Sequence, residues 1–370
     1  MKITDITLDR LRLKLNPPFR AAWDPEPRRH FDATIVRVHT DEGITGIGSG
    51  DLMDGFDTYK HLFVGEDPLD ITRHVKAIET ANFHGAYYWP LEAALWDVIG
   101  QVHGRPVAEL FGNAAKELPA YASSGELKSP QERVATALKV REAGFRAMKI
   151  RIDRNRVDEG IAAVRAVREE LGDDFEIMVD LNQSWRMAGD TANASDLAKT
   201  RKIIARLAEL DVFWVEEPLP YADLDGFKRL RAENPGVRIA AGEMHHSPTE
   251  LLRYLEEDAL DIYQMDVVLA IGMHRARTLA ELAQLKHRQF TPHSWTNGIG
   301  VLANLHVAAG VGGGPYFEFP YDPPGWTPER RDFMLAEPVR VNADGCLEVP
   351  DRPGLGVELD EDAIDRWRVT

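Results

Sequence analysis

The sequence predicts an α/β fold: a closed barrel of parallel strands preceded by a smaller α+β unit. Three observations carry this reading. From Leu118 onward, eight short apolar strands alternate with amphipathic helical segments. Before Leu118 the pattern differs, with period-two strands followed by one long helical stretch. No glycine-rich phosphate loop follows the first strand of the alternating region, which disfavours a doubly wound sheet. The length of 370 residues agrees, since it exceeds what one ordinary core encloses.

Residues 2–6 alternate polar and apolar, as a half-buried strand does. Residues 33–38 and 44–47 flank Asp41-Glu42-Gly43 and read as a hairpin. A helix is expected over about 90–102, where Leu91, Leu95, Val98 and Val102 recur at helical spacing. The barrel strands are expected near residues 120–122, 147–152, 177–180, 212–216, 238–241, 262–266, 289–291 and 316–318. Ser247-Pro248-Thr249-Glu250 reads as a helix-starting capping box. The tail from about Val339 is polar and rich in Gly and Pro, and is expected to pack back on the N-terminal unit. The boundaries that follow are 1–118 for the α+β unit, completed by 339–370, and 119–338 for the barrel.

Composition narrows the function. Hydrophobic residues make up 44% and charged residues 28%, as in a globular protein in water. No apolar run reaches the ~18 residues of a membrane span, so no membrane partner is expected. The first eight residues open a strand rather than a signal peptide, and the single cysteine, Cys346, fits a reducing cytoplasm. A net charge of -16 argues against nucleic-acid binding. It also means that a site for an anion has to supply its own local positive charge.

The charges that matter sit where such a barrel collects its chemistry, at the C-terminal strand ends. Lys149 and Arg151 end the second strand and Asp180 and Asn182 the third; Glu216 and Glu217 end the fourth. Glu243 follows the fifth, Asp266 the sixth, His293 the seventh and Glu318 the eighth. Neighbouring positions are 23 to 36 residues apart, the length of one strand-helix unit. Any one of these acids alone reads as a helix cap or a solvated loop residue; ionisable groups at the ends of seven successive strands do not.

Asp180, Glu216 and Glu243 suit a hard cation such as Mg²⁺, since three carboxylates leave coordination positions for water and substrate oxygens. With no cysteine nearby, structural zinc is disfavoured. Spacing leaves open whether Glu216 or its neighbour Glu217 binds the metal, and His245 and His246 read as loop residues. Arg151 beside Lys149 is expected to lower the lysine pKa and let it act as a base. His293 exchanges protons near neutrality, and Asp266 is placed to orient it.

This constellation resembles the enolase superfamily, and within it the mandelate racemase subgroup, over nearly the whole chain. The resemblance implies a modified (β/α)7β TIM-like barrel with an N-terminal α+β capping domain. It implies that Asp180, Glu216 and Glu243 hold Mg²⁺, that Lys149 is the base on one face, and that His293 with Asp266 is the acid/base dyad on the other. It further implies that Glu318 hydrogen-bonds the substrate carboxylate. Enolase-superfamily sites with Lys or His bases and Mg²⁺ are an established pattern. The muconate-cycloisomerase-like subgroup carries a lysine on the sixth strand, where this chain has Gln264-Met265-Asp266-Val267. One departure stands out: the second lysine of the usual Lys-x-Lys motif is Arg151 here. That substitution weighs against two-base racemisation and leaves dehydration intact.

Capping-domain loops choose the substrate in such proteins. The candidates are residues 16–30, with Arg20, Trp23, Arg28, Arg29 and His30, and residues 50–58, with Asp51, Asp54 and Asp57. Asn182 is a further substrate-binding candidate. These polar loops point to a small polyhydroxylated acid or diacid, with arginines holding a distal carboxylate. The expectation is therefore a Mg²⁺-dependent sugar-acid dehydratase, acting as a homo-oligomer. Racemisation or epimerisation of a 2-hydroxy acid or amino-acid derivative ranks second, and a noncatalytic acid-binding protein third.

Overall fold

The computed structural model describes residues 1–369. The chain opens with three antiparallel strands in the order β1 (Ile3–Phe19), β2 (Arg28–Thr40) and β3 (Thr45–Ser49). The first strand is far longer than its N-terminal alternation suggested. Residues 16–30 are accordingly not a loop: both ends belong to β1 and β2, and only 20–27 turn between them. Period two sorts the faces of this sheet. Val36 and Val38 pack with Ile3 and Ile6 against two helices, whereas Ile35 and Ala33 face Ile299, Met334 and Ile364.

The two helices are α1 (Ile71–His84), which the periodicity did not reveal, and α2 (Trp89–His103), close to its expected span. Helix α2 lies unusually close to β3. A Cβ at Gly46 would meet Ala94 O at 2.1 Å, and one at Gly48 would meet Pro90 O at 2.0 Å, so only glycine permits this approach. A short helix, α3 (Val107–Leu110), leads into the barrel.

The barrel strands are β4 (Glu117–Ser123), β5 (Ala147–Arg151), β6 (Glu176–Asp180), β7 (Trp214–Glu216), β8 (Arg238–Ala241), β9 (Ile262–Tyr263), β10 (Gln289–Phe290) and β11 (Phe317–Pro320). Each of the first seven is followed by a helix: α4 (Pro130–Glu142), α5 (Val157–Leu171), α6 (Leu197–Ala208), α7 (Leu224–Glu233), α8 (Pro248–Glu256), α9 (Met273–Leu285) and α10 (Gly298–Val311). The parallel ladder runs unbroken from β10 back through β4 to β11. Among the described residues β10 and β11 share no ladder. Their seam is bridged by Gly314 N–H to Phe290 O at 3.0 Å and by Ser294, which bonds Glu318 twice. The fold is a (β/α)7β TIM-like barrel with an N-terminal sheet domain.

Strand alternation divides the barrel interior into layers. Tyr121, Ala147, Met178, Trp214, Ala240 and Ile262 form an apolar plug. Two residues further along five of those strands stand Ser123, Lys149, Asp180, Glu216 and Gln264, all buried. The polar layer therefore rests on the plug because both belong to the same inward-facing set.

Helix starts follow the same local rules. Ser129 and Glu132 make a full capping box at α4. At α8 only half of the expected box forms. Ser247 accepts from the Glu250 N–H, but the Glu250 carboxylate is taken by His245 Nε2 at 2.6 Å. The tail is shared between the two units. Strand β12 (Cys346–Glu348) pairs antiparallel with β4, after a short helix α11 (Pro328–Arg331), and α12 (Glu361–Trp367) reaches back to β1, with Arg37 paired to Glu361 at 2.8 Å.

The N-terminal unit is fastened to the barrel by polar contacts between buried and half-buried groups. Glu92 on α2 accepts from the His274 N–H at 2.7 Å, filling one orphan donor at the start of α9. Trp89 Nε1 donates to Ala270 O at 2.8 Å, and Arg275 pairs in a fork with Glu79. The β1–β2 turn is held by Ala22 N–H to Gly125 O at 2.7 Å. Among the described residues no helix is long and apolar enough to cross a membrane.

Candidate active site

The polar layer converges on three carboxylates. Asp180 ends β6, Glu216 ends β7, and Glu243 follows β8 after Gly242, whose φ of +115° turns the chain toward the barrel mouth. One oxygen from each lies within 4.8 Å of the others, and all three side chains are buried. Each is oriented by a neighbour. Gln264 Nε2 donates to Glu216 Oε2 at 2.8 Å, Trp185 Nε1 to Glu243 Oε1 at 2.7 Å, and Arg151 Nη1 to Asp180 Oδ2 at 2.6 Å.

The protein alone does not balance this charge. Burial, with the repulsion of Asp180 and Glu243, pushes the Glu216 carboxyl up to about 8 although Lys149 opposes the shift. Glu243 Oε2 is buried and has no hydrogen-bond partner among the described residues. A hard divalent cation fits such a set: oxygen donors only, an orphaned acceptor, and excess negative charge in a desolvated site. Glu217 stands apart from the trio. Its backbone is left-handed, with φ at 45°, and its carboxylate accepts from the Tyr221 hydroxyl. Burial first, then Glu243 and Asp180, holds that carboxyl well above its ordinary range.

Lys149 corrects an expectation. Its Nζ lies 2.5 Å from Glu216 Oε1, 2.7 Å from Glu318 Oε1 and 3.7 Å from Asp180 Oδ2, and the side chain is sealed from solvent. Burial is the largest single influence and lowers its pKa, but Glu216, Glu318 and Asp180 together outweigh it; Arg151 contributes least. The pKa is raised, not lowered, because carboxylates surround the ammonium more closely than Arg151 opposes it. Glu318 departs from expectation in the same way. It accepts from Lys149, from Ser123 Oγ at 2.8 Å and from Ser294 N–H at 2.6 Å. Burial would raise its pKa, but Lys149 and His293 prevail and hold it at about 2. Both its oxygens accept hydrogen bonds inside the fold, and it is not among the residues that line the cavity shared by Arg151, Glu243 and His293.

Arg151, by contrast, faces the mouth. It lines a cavity of about 550 Å³ together with Glu243 and His293. Its Nε donates to Ser124 O at 2.8 Å and its Nη1 to Asn182 Oδ1 at 2.7 Å. Asn182 lines an adjoining cavity of about 460 Å³. His293 donates from Nδ1 to Asp266 Oδ2 at 2.9 Å, and its Nε2 lies 3.7 Å from Glu243 Oε2. Asp266 is fixed in turn by the Val268 and Leu269 N–H groups at 2.7 and 2.9 Å. Burial lowers the His293 pKa, but Glu243, Glu318 and Asp266 outweigh it and raise it to about 9.

The expected substrate residues divide. Trp23 and Arg28 line the cavity, with Arg28 held in a fork by Asp24 at 2.9 and 3.0 Å. Arg20, just past the end of β1, and Arg29 and His30, at the start of β2, are exposed and do not line it, while their neighbours Phe19 and Phe31 are buried. In the second segment Asp54 pairs with Arg10 instead, and Asp51 is half-buried near Asp266.

Sequence reasoning missed Trp185, Trp295 and Trp326, which line the cavity; His246, read from sequence as a loop residue, lines it too, stacked on Tyr87 at 3.9 Å. None belongs to a periodic element whose spacing would single it out. His245 is engaged with Glu250.

Comparison with known proteins agrees with this geometry. Residues 132–363 match the family model described as "Enolase C-terminal domain-like". The chain is 28% identical to a D-galactarolactone cycloisomerase of Agrobacterium fabrum, over 100% of this chain and 99% of that protein. It is 28% identical to an arabinonate dehydratase of Saccharolobus solfataricus, over 75% of this chain and 71% of that one. It superposes on a racemase from Streptomyces coelicolor A3(2) with bound magnesium at a TM-score of 0.81 and 27% identity, covering 99% and 100% of the two chains. With the family model matching well over half its length, the chain belongs to the enolase superfamily.

Proposed function

We propose that the protein is a Mg²⁺-dependent dehydratase that removes the proton α to a sugar-acid carboxylate and eliminates the 3-hydroxyl, leaving a 2-keto-3-deoxy acid. The observation that carries this reading is the His293–Asp266 pair set beside Glu243 of the carboxylate triad, with His293, Glu243 and Arg151 lining one cavity. A cation held by Asp180, Glu216 and Glu243 supplies Lewis-acid stabilisation of the charge that develops on the substrate carboxylate. The Arg151 guanidinium, on the same cavity, binds a carboxylate oxygen and meets that charge as it grows.

His293 moves the protons. Of the carboxylates that raise its pKa, Glu243, the largest contributor, is one that a divalent cation would neutralise, so a bound cation would bring the imidazole part of the way back toward its ordinary value. In its neutral form Nε2 accepts the α-proton, while Asp266 steadies the imidazolium through Nδ1. The same proton then passes to the departing 3-hydroxyl, which leaves as water, and the enol so formed tautomerises to the ketone. Lys149 is assigned a positioning role: its ammonium holds Glu216 and Glu318 in place. Two-base racemisation needs a second base on the opposite substrate face, and Lys149, the candidate for it, is paired with Glu216 and Glu318 and is not among the residues that line the cavity.

Names among relatives support the class without choosing the member, since they include a sugar-acid dehydratase, a cycloisomerase and a racemase. The test is incubation with Mg²⁺ and a panel of sugar acids in D₂O. Formation of a 2-keto-3-deoxy product is expected. Deuterium at C2 with no loss of water would instead make the enzyme a racemase or epimerase.

A further inference from the structure

Polar loops around the mouth suggested an open polyhydroxylated substrate, but the cavity walls are mostly apolar and aromatic, and their hydrogen-bonding groups are few: Arg28, Trp185, Tyr221, His246 and the unpartnered Trp326 Nε1. Above a charged floor of Arg151, Glu243 and His293, the walls are built from Trp23, Trp295, Trp326, Phe31 and Leu269. The polar atoms on these walls are largely committed to the protein. Trp295 Nε1 donates to Ser123 Oγ at 2.7 Å, Trp185 Nε1 to Glu243, and the Tyr221 hydroxyl to Glu217. Arg28 spends two of its nitrogens on Asp24.

The aromatic wall is also pre-packed. Trp23 meets Trp295 edge-on at 4.7 Å, and Trp326 packs against Phe31 at 4.9 Å and Phe19 at 5.0 Å. The Arg151 guanidinium lies 4.5 Å over the Trp23 ring, so the wall is tied to the charged floor. Such a wall offers rigid π faces at fixed positions. An open chain with a hydroxyl on each carbon would be desolvated against it with few partners. A ring that presents a C–H face would bury apolar area and keep its hydroxyls on the rim.

We infer that this cavity takes a ring-closed sugar acid, with its carboxylate on the floor beside Arg151 and its C–H face against the Trp23, Trp295 and Trp326 wall. This inference rests on the reading of the site as one that binds a carboxylate and removes its α-proton; glucuronate, whose α-carbon carries the ring oxygen, probes ring binding and proton exchange and not the 2-keto-3-deoxy product.

The experiment is a fluorescence titration of the Mg²⁺-supplemented protein, following its tryptophans, with three probes: glucuronate as a sugar ring, gluconate as an open-chain sugar acid of the same carbon number, and an aryl 2-hydroxy acid. Glucuronate is expected to bind about ten-fold tighter than gluconate. Trp23→Leu should remove most of that preference and change gluconate binding less than two-fold. Because Trp23 also touches Arg151, Leu269→Trp serves as the second variant. By crowding the cavity away from the cluster it should weaken glucuronate and spare gluconate. Equal or tighter gluconate binding, equal loss of both acids in Trp23→Leu, or tight binding of the aryl acid alone would each overturn the inference. Exchange of the α-proton in D₂O, read by NMR, separates the two claims. Ring binding without exchange of any acid upholds this inference and removes the proposed chemistry, and exchange of open-chain acids alone does the reverse.

Discussion

The Nζ of Lys149 lies 2.7 Å from Oε1 of Glu318, and neither side chain reaches solvent. The ammonium also touches Glu216, so one cation holds two strand ends together across the inside of the barrel. Replacing it with methionine leaves buried carboxylates unpaired, a loss of about 3–5 kcal/mol. Lys149→Met is therefore expected to lower the unfolding free energy by that amount in the metal-free protein, with part of the loss restored by Mg²⁺. An unchanged denaturation midpoint would remove the positioning role.

Trp185 orients Glu243 through a 2.7 Å hydrogen bond. Partners of this kind typically change metal affinity about 10–100-fold when removed. Trp185→Phe is expected to weaken Mg²⁺ binding within that range by isothermal calorimetry. In the unmodified protein, Mg²⁺ at about 100 times its Kd should add about 2.7 kcal/mol of stability, and EDTA should abolish the gain.

His293→Asn is expected to abolish turnover while leaving Mg²⁺ binding within a few-fold. Asp266→Asn should cost roughly 10²–10⁴ in kcat, since it removes the partner that orients and charges the imidazole. The pH profile carries a sign as well. Neutral His293 is the base, so kcat/KM rises with pH through its pKa. Asp266 raises that pKa, so the asparagine variant's acidic limb should move to lower pH. Retained activity in His293→Asn would end the proposed mechanism.

Glu92 gives a stability prediction away from the chemistry. Burial pushes its carboxyl up to about 7, against the hydrogen bonds from His274 and Trp96. A carboxyl whose folded pKa is raised contributes stability that is full below the unfolded value near 4.5 and is lost as pH rises through about 7. The loss is on the order of 2–3 kcal/mol. Glu92→Gln, which keeps an acceptor oxygen and cannot ionise, should flatten urea-derived stability between pH 5 and pH 8. A parallel pH dependence in the two proteins would count against it.

Much of this was legible because the relevant signals are local. A short apolar run marks each barrel strand, and three successive units each end their strand in an acid, so Asp180, Glu216 and Glu243 are visible in the chain. What was not legible depends on distances across the barrel. Arg151 lies two residues from Lys149 in sequence, and that proximity suggested a lowered lysine pKa. The carboxylates that reverse the shift come from strands far along the chain. The same holds for Arg20, Arg29 and His30, whose exposure follows from β1 extending through Phe19. The Ser247 capping box failed on a competitor, His245, that the motif does not count. Trp295 and Trp326 carry no spacing signal and gain meaning only beside Trp23.

The seam between β10 and β11 has a consequence for the protein's internal motions. Ser294 closes it by donating its N–H and its hydroxyl to Glu318, at 2.6 Å each. Glu318 in turn anchors the Lys149 ammonium. The weakest join in the ring and the electrostatic centre of the site are thus one set of bonds, so an opening of the seam and a disturbance of the site's charge are the same local event. Amide hydrogen exchange at Ser294 would report it: slow when the carboxylates are neutralised by a cation, and faster than in the rest of the barrel wall when they are not.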